Sequence, residues 1–154
     1  MTPDGFSPYF SFAELTFTNH SELLSQNRVD AKAFRLAGKR LSKLLESIRH
    51  ILGDKPLKVN SGFRCPSVNK AVGSKAKSST HMKFEAADIV PSGMSIKEAL
   101  TAILNAQRGG LLPDLRKAIR EDHKGIIHVE VKMSQDEKTA FYTTNDNVNF
   151  TPVA

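Results

Sequence analysis

Apolar residues recur at the spacing of an α-helix between residues 31 and 52, while Lys and Arg fill the opposite face of this stretch. The recurring positions are Phe34, Ala37, Leu41, Leu44, Leu45, Ile48 and Leu52. Gly53 follows the last of them, and Pro56 blocks continuation. The pattern predicts one long amphipathic helix that ends near residue 52.

Shorter apolar segments follow this helix, and they indicate strands. Residues 57–60, 86–90 and 126–131 each predict a strand, and in the last one the period of two puts His128 and Glu130 on one face. Ser95-Ile96-Lys97-Glu98 is a capping box that opens a helix to about residue 107. Residues 113–121 fit a helix or a strand, and we favour the helix.

The remaining segments predict an arm and a loop. Four phenylalanines between residues 6 and 17 are expected to pack on the core, because an apolar arm left in water would promote association. Residues 64–80 are rich in Ser, Lys, Pro and Gly, which favours an irregular loop. The chain has 154 residues, the usual size of a single domain. We predict an N-terminal arm over residues 1–30 and a core over about 31–145.

Composition limits the chemistry. The lone Cys65 excludes an intramolecular disulfide and a thiolate zinc site, so His and carboxylates are the expected ligands of any metal. The net charge of +6 favours anionic partners without choosing among nucleic acid, lipid and cell-wall polymers. No apolar run is long enough to span a bilayer, and residues 1–12 lack the features of a signal peptide.

Three side chains form a candidate metal site. His81 and Asp88 bracket a tight turn that enters the strand at residues 86–90, and His128 lies on the strand at residues 126–131. Pairing of the two strands would bring the three groups together. Two imidazoles and one carboxylate leave a coordination position open, which is typical of catalytic zinc sites, where bound water becomes a nucleophile at neutral pH.

The motifs around these residues resemble a known family. They are Ser61-Gly62-Phe63-Arg64, the segment 68–74, Ser79-x-His81, Ala86-x-Asp88 and Ile127-His128-Val129, preceded by a phage-type segment at residues 10–15. Together they resemble the zinc D-Ala-D-Ala carboxypeptidase and L-Ala-D-Glu endopeptidase family, which includes many phage lysins. The resemblance implies an α+β domain of the Hedgehog/DD-peptidase type, with a small antiparallel sheet, flanking helices and one Zn²⁺ per chain.

The resemblance also implies a substrate and roles for individual residues. The expected reaction is hydrolysis of amide bonds in peptidoglycan stem peptides. Arg64 corresponds to the family's arginine beside the cleft, where its planar fork of donors suits a substrate carboxylate or a developing oxyanion. Ser79 is expected to contact the substrate or to hydrogen-bond a ligand.

Two positions depart from the family pattern. Phe84 stands where Gly is usual, and we expect it to pack into the cleft wall as a substrate contact or to mark a changed loop. Gly125 replaces the carboxylate often found three residues before the last ligand. The related Hedgehog domain carries its acidic residue six positions before that ligand, which here is Asp122. We therefore favour Asp122 as general base, with Glu121 and Glu130 as alternatives.

Other functions are compatible with the same residues. A non-catalytic zinc module could bind cell wall or a protein partner through a basic surface that includes Lys39, Arg40, Lys43, Lys75 and Lys77. Nucleic-acid binding has only the charge in its favour, because no recognised motif accompanies it. We expect peptidoglycan peptides as partners, no nucleic acid, no membrane and a monomer. The expected setting is synthesis in the host cytoplasm and action at the bacterial wall, after release or as part of a virion.

Overall fold

The computed structural model describes residues 4–74 and 78–153. Its helices are α1 (Phe12–Leu15), α2 (Leu24–Ala31), α3 (Arg35–Ile51), α4 (Pro66–Ala71) and α5 (Ile96–Arg108). Its strands are β1 (Leu57–Ser61), β2 (Ala86–Pro91), β3 (Leu115–Glu121), β4 (Ile126–Val131), β5 (Ala140–Thr144) and β6 (Thr151–Pro152). Short 3₁₀ turns cover Ser21–Leu23, Lys32–Phe34 and Thr80–Lys83. Within the described ranges, no helix combines the length and apolar character that a membrane span requires.

The six strands form one sheet in the order β1-β2-β4-β3-β5-β6. Neighbouring strands are antiparallel except β3 and β5, which pair in parallel. The predicted α+β class with flanking helices is confirmed, and the parallel pair at β5 is an addition to it. All six residues of β4 are buried, which makes this strand the centre of the domain.

Two amphipathic helices cover one face of the sheet. α3 and α5 contact each other, and both contact β4. The β4 residues Ile127, Val129 and Val131 belong to the hydrophobic core on this face. His128 and Glu130 alternate with them and lie on the other face, where their side chains hydrogen-bond each other, as the period of two predicted.

Both predicted helices are confirmed with small changes at their ends. The first begins with the 3₁₀ turn Lys32–Phe34 and continues as α3. The capping box of α5 is formed as expected, since Ser95 Oγ accepts from the Glu98 N–H at 3.0 Å and donates to Glu98 Oε1 at 3.1 Å.

Two local predictions were wrong. Residues Leu115–Glu121 form strand β3 instead of a helix, because the segment is held between β4 and β5 and its pairing outweighs local preference. Part of the predicted loop over residues 64–80 is helix α4, with Pro66 in its first turn, where proline is tolerated. Residues 75–77 of that loop lie outside the described residues.

The N-terminal arm packs on the core close to the candidate site. Phe6 and Phe10 are buried as predicted, whereas Phe17 is 54% exposed, against expectation. The fully buried Asn27 of α2 joins the arm to the next segment: its amide donates to the Thr16 and Phe63 carbonyls, at 2.7 and 3.1 Å, and accepts from the Cys65 N–H at 2.8 Å. These bonds fix the backbone on both sides of Arg64.

Candidate metal centre

The structure brings His81, Asp88 and His128 together on the open face of the sheet. His81 lies in the 3₁₀ turn before β2, and Asp88 and His128 are directly paired across β2 and β4. One ligand atom from each residue lies within 4.8 Å of the other two. Asp88 Oδ1 is 3.3 Å from His81 Nε2 and 2.9 Å from His128 Nδ1. The donor set therefore converges on one point.

The surroundings of His81 leave its Nε2 atom free to bind a metal. Its Nδ1 atom is 2.8 Å from the Gly62 carbonyl, which can only accept, so Nδ1 carries the hydrogen. Gly62 can lie there because it has no side chain: a Cβ at this position would collide with the Leu15 carbonyl. The Gly of the Ser-Gly-Phe-Arg motif thus helps to orient a candidate metal ligand.

A carboxylate orients His128, as the Gly62 carbonyl orients His81. Its Nε2 atom lies 2.8 Å from Glu130 Oε2, while its Nδ1 atom faces Asp88. A carboxylate on the far nitrogen is the usual companion of a metal-binding imidazole, because it sets the tautomer and the ring orientation. Nδ1 of His128 is therefore the atom presented to a metal.

The charges of the site depend on one another. Burial opposes protonation of His128, but its hydrogen bonds to Asp88 and Glu130 outweigh burial and raise its pKa to about 9. Burial also opposes ionisation of Asp88, yet the two histidines hold the pKa of Asp88 far below its usual range. The site therefore holds an ionised carboxylate between two buried imidazoles, an arrangement that is electrostatically suited to a cation.

Glu130 is held from the side away from the ligands. Its carboxylate is buried, accepts from Thr80 Oγ1 at 3.1 Å and pairs with Arg116 Nε at 3.1 Å. Arg116 also pairs with Glu85 at 2.9 Å. Burial raises the pKa of Glu130, but the His128 bond and the nearby cations outweigh it and lower that pKa to about 2. Sequence reasoning missed Arg116, because its segment was predicted to be a helix.

The three candidate ligands lie in a cleft of about 570 Å³. Arg64, Ser79, Glu121 and Lys124 also line it. Burial lowers the pKa of Arg64, against the opposing effect of Asp88 and Glu121, and its buried Nε atom has no hydrogen-bond partner among the described residues. Ser79 caps the 3₁₀ turn by accepting from the His81 N–H at 3.2 Å. The cleft thus combines a candidate cation site with a half-buried guanidinium that can bind an anion.

The three candidate general bases lie in different places. Glu121 is 5% exposed, lines the cleft and has Lys124 Nζ at 3.7 Å. Asp122 lines a separate groove beside β5, where both its oxygens bind Arg120, at 2.7 and 3.2 Å. Glu130 hydrogen-bonds the far side of the His128 ring. Of these three carboxylates, Glu121 is the one that lines the cleft. Unlike Glu130, it is not a hydrogen-bond partner of His128.

Phe84 does not line the cleft, in contrast to the prediction from the sequence. Its ring is fully buried and packs against Phe6, Phe12 and Phe63, with centroids 5.4 to 6.4 Å apart. Its φ of 61° is the left-handed conformation, which explains why Gly is usual at this position. Gly38 of α3 makes room for the ring, since a Cβ there would lie 2.7 Å from it. Phe84 is a core residue that fixes the turn after His81.

The cleft has a second wall that sequence reasoning missed. The loop between β5 and β6 contributes Asp146, Asn147, Val148 and Phe150. The predicted core ended near residue 145, because residues 145–150 show no apolar periodicity that would mark them. Of the proposed basic surface, Lys39, Arg40 and Lys43 lie on α3, whereas Lys75 and Lys77 lie outside the described residues.

Comparison with known proteins assigns a family to this arrangement. A sequence model of the Peptidase M15 family matches residues 8–130, which include the three candidate ligands, Arg64 and Glu121. The chain is also 39% identical over 80 residues to the zinc D-Ala-D-Ala carboxypeptidase of Streptomyces albus G. That similarity covers 52% of this chain and 30% of the relative, so the chain matches less than a third of the relative's length. Because the family match extends over well more than half of the sequence, the chain belongs to the Peptidase M15 family.

Proposed function

We propose that this protein is a zinc-dependent peptidase that hydrolyses amide bonds in peptidoglycan stem peptides. One observation carries the proposal: His81 Nε2, Asp88 Oδ1 and His128 Nδ1 converge in a cleft, while the other nitrogen of each imidazole is hydrogen-bonded elsewhere. Two nitrogens and one carboxylate oxygen suit zinc and leave a position open for water or substrate. The family membership and the zinc relative support the same metal, at one ion per chain.

Each group in the cleft then has a part in hydrolysis. Zinc, when bound, would polarise the scissile carbonyl and lower the pKa of a water molecule. Glu121 is our candidate for the general base, because it lines the same cleft as the three candidate ligands, whereas Asp122 lines a separate groove. It would take the proton from water and return it to the leaving amine. This choice replaces the sequence-based preference for Asp122, whose carboxylate binds Arg120.

Substrate binding follows from the positive groups. We propose that Arg64 binds a carboxylate of the stem peptide or stabilises the oxyanion, with Ser79 at the rim of the same cleft. The net charge of +6 favours approach to an anionic wall. The bond cut would be D-Ala-D-Ala, as the name of the Streptomyces relative suggests, or L-Ala-D-Glu. We further propose that a monomer acts at the bacterial wall, after release from a host cell or as part of a virion.

Digestion of purified peptidoglycan tests this function. Zinc-loaded protein is incubated with the substrate, a parallel sample receives a chelator, and mass spectrometry identifies new peptide termini. We expect chelator-sensitive release, and the new termini name the bond. Intact peptides from fully zinc-loaded protein would instead favour a non-catalytic wall-binding module of the same fold.

A further inference from the structure

One wall of the cleft lies outside the part of the chain that the family model matches. The match ends at residue 130, whereas the wall is the loop of residues 145–150 between β5 and β6. We call it the wall loop. Val72, Gly73 and Ser74, which follow helix α4, also line the cleft. The candidate metal ligands and Arg64 therefore lie within the residues that the family model matches, which we call the family-matched core. The wall loop, which borders their cleft, lies outside this core.

The wall loop is internally fixed by hydrogen bonds. Asp146 Oδ1 accepts from the N–H groups of Val148 and Asn149, at 2.9 and 2.8 Å. Asp146 Oδ2 accepts from the Asn149 side chain at 2.8 Å, and Thr144 Oγ1 donates to the Asn149 carbonyl at 2.7 Å. A loop ordered in this way loses little conformational entropy when a ligand binds it.

The wall loop is also tied to the end of β3. Thr144, the last residue of β5, is paired with Glu121 in the parallel register, and its carbonyl accepts from the Asp122 N–H at 2.9 Å. These contacts fix the start of the loop next to the candidate base. A substrate that touches the loop is therefore positioned relative to Glu121.

Apolar side chains stand at the mouth of this otherwise charged cleft. Val148 is 77% exposed and Phe150 44% exposed on the wall loop, and Val72, which also lines the cleft, is 46% exposed. The Phe150 ring lies edge-on to Tyr142, with centroids 6.3 Å apart, which holds it in place. Exposed apolar side chains next to buried charged groups suit a ligand that has both an aliphatic and an anionic part.

We infer that the wall loop selects the substrate, with Val148 and Phe150 contacting an aliphatic side chain of the peptide next to the bond that is cut. This inference rests on the proposed function. The peptide carboxylate is oriented towards Arg64, and the apolar contact sets which side chain is accepted. Preference among peptides thus comes from residues beyond the family-matched core, whereas the hydrolytic groups lie within that core.

The test compares two synthetic stem peptides that differ only in alanine or glycine next to the scissile bond. Zinc-loaded wild-type protein should prefer the alanine peptide by roughly tenfold in kcat/KM, the usual effect of one small apolar group. Val148→Ser and Phe150→Ser, singly and together, should raise KM for the alanine peptide and reduce this preference to about twofold or less. Zinc content should stay near the wild-type value, because neither residue belongs to the candidate metal site. Leu111→Ser is the matched control, because Leu111 is 66% exposed and does not line the cleft.

The outcomes separate this inference from the proposed function. If the double variant keeps the wild-type KM and the wild-type preference, the wall loop does not select the substrate. If neither wild-type protein nor Leu111→Ser cleaves either peptide, the proposed hydrolysis fails. Calorimetric titration of the same two peptides then tests the loop alone: the double variant should lose the difference in Kd between them, and an unchanged difference would overturn the inference.

Discussion

The Nε2 atom of His128 lies 2.8 Å from the Glu130 carboxylate, on the side of the ring opposite the nitrogen that faces Asp88. This relationship assigns Glu130 a positioning role, because a carboxylate in that place fixes the imidazole tautomer. It also connects the site to β3, where Arg116 holds Glu130. The candidate metal ligands are thus supported by an ion-pair network that begins outside the cleft.

Loss of this support should weaken zinc binding. Glu130→Gln is expected to raise the Kd for zinc by roughly 10- to 100-fold, the usual effect of removing such a partner. Competition with a chromophoric chelator measures this change. Glu137→Gln is the control, since Glu137 pairs with the same Arg116 at 3.6 Å, whereas its other oxygen accepts from the Met133 N–H at 3.1 Å and not from His128. An unchanged Kd in Glu130→Gln would show that the carboxylate does not orient His128.

Removal of a ligand should have a larger effect than removal of its support. His81→Ala and His128→Ala should each lower zinc affinity by more than the roughly 100-fold upper range expected for Glu130→Gln. His50→Ala serves as the control, because His50 is exposed and pairs with Asp54 instead. Metal analysis after dialysis against dilute zinc distinguishes the variants. Full zinc occupancy in His81→Ala or His128→Ala would exclude that residue as a ligand.

The buried ring of Phe84 should matter for stability and not for substrate binding. Phe84→Gly relieves the left-handed conformation, worth about 1–2 kcal/mol, but it removes a ring from a packed cluster, where such losses cost about 3–5 kcal/mol. We expect a net decrease of roughly 2 kcal/mol in the free energy of unfolding, measured by urea denaturation. Phe84→Leu, which keeps most of the packing, should leave KM unchanged. A raised KM in folded Phe84→Leu would show that Phe84 does contribute to substrate binding.

The wall loop should keep its order in mild acid. Hydrogen bonds from the backbone of Asn149 and Val148 lower the pKa of Asp146 to about 2. A carboxylate with a lowered pKa stabilises the folded state fully above its unfolded value of about 3.9, and this contribution is lost as pH falls through about 2. A carboxyl-carbon NMR titration should therefore show Asp146 ionised at pH 4. A midpoint at or above the unfolded value would contradict the loop geometry.

The features that sequence predicted well are those with strong local or spacing signals. The amphipathic pattern gave α3, the capping box gave α5, and the Ser-x-His, Ala-x-Asp and final His motifs selected groups that meet in space. Strand β3 was not predicted because it pairs with a strand on each side. Such a strand can form without a marked alternation of apolar and polar residues.

The choice between Glu121 and Asp122 illustrates why the rest of the site was out of reach. Counting back from His128 pointed to Asp122. In the structure, Lys124 and Gly125 both donate to the Glu121 carbonyl, and this tight turn leaves Glu121 on the cleft side and Asp122 on the other. A shift of one residue at a strand end reverses the direction of a side chain, and spacing alone does not record it.

Zinc content and turnover, measured on the same samples of wild-type protein, Glu121→Gln and Asp122→Asn, test the central claim most directly. All three should hold one zinc ion per chain and remain folded. Wild type and Asp122→Asn should release stem-peptide fragments at similar rates, whereas Glu121→Gln should be slower by roughly 10²- to 10⁴-fold, the usual contribution of a general base. Zinc-loaded wild type that releases nothing, or Glu121→Gln that cleaves at the wild-type rate, would contradict the account.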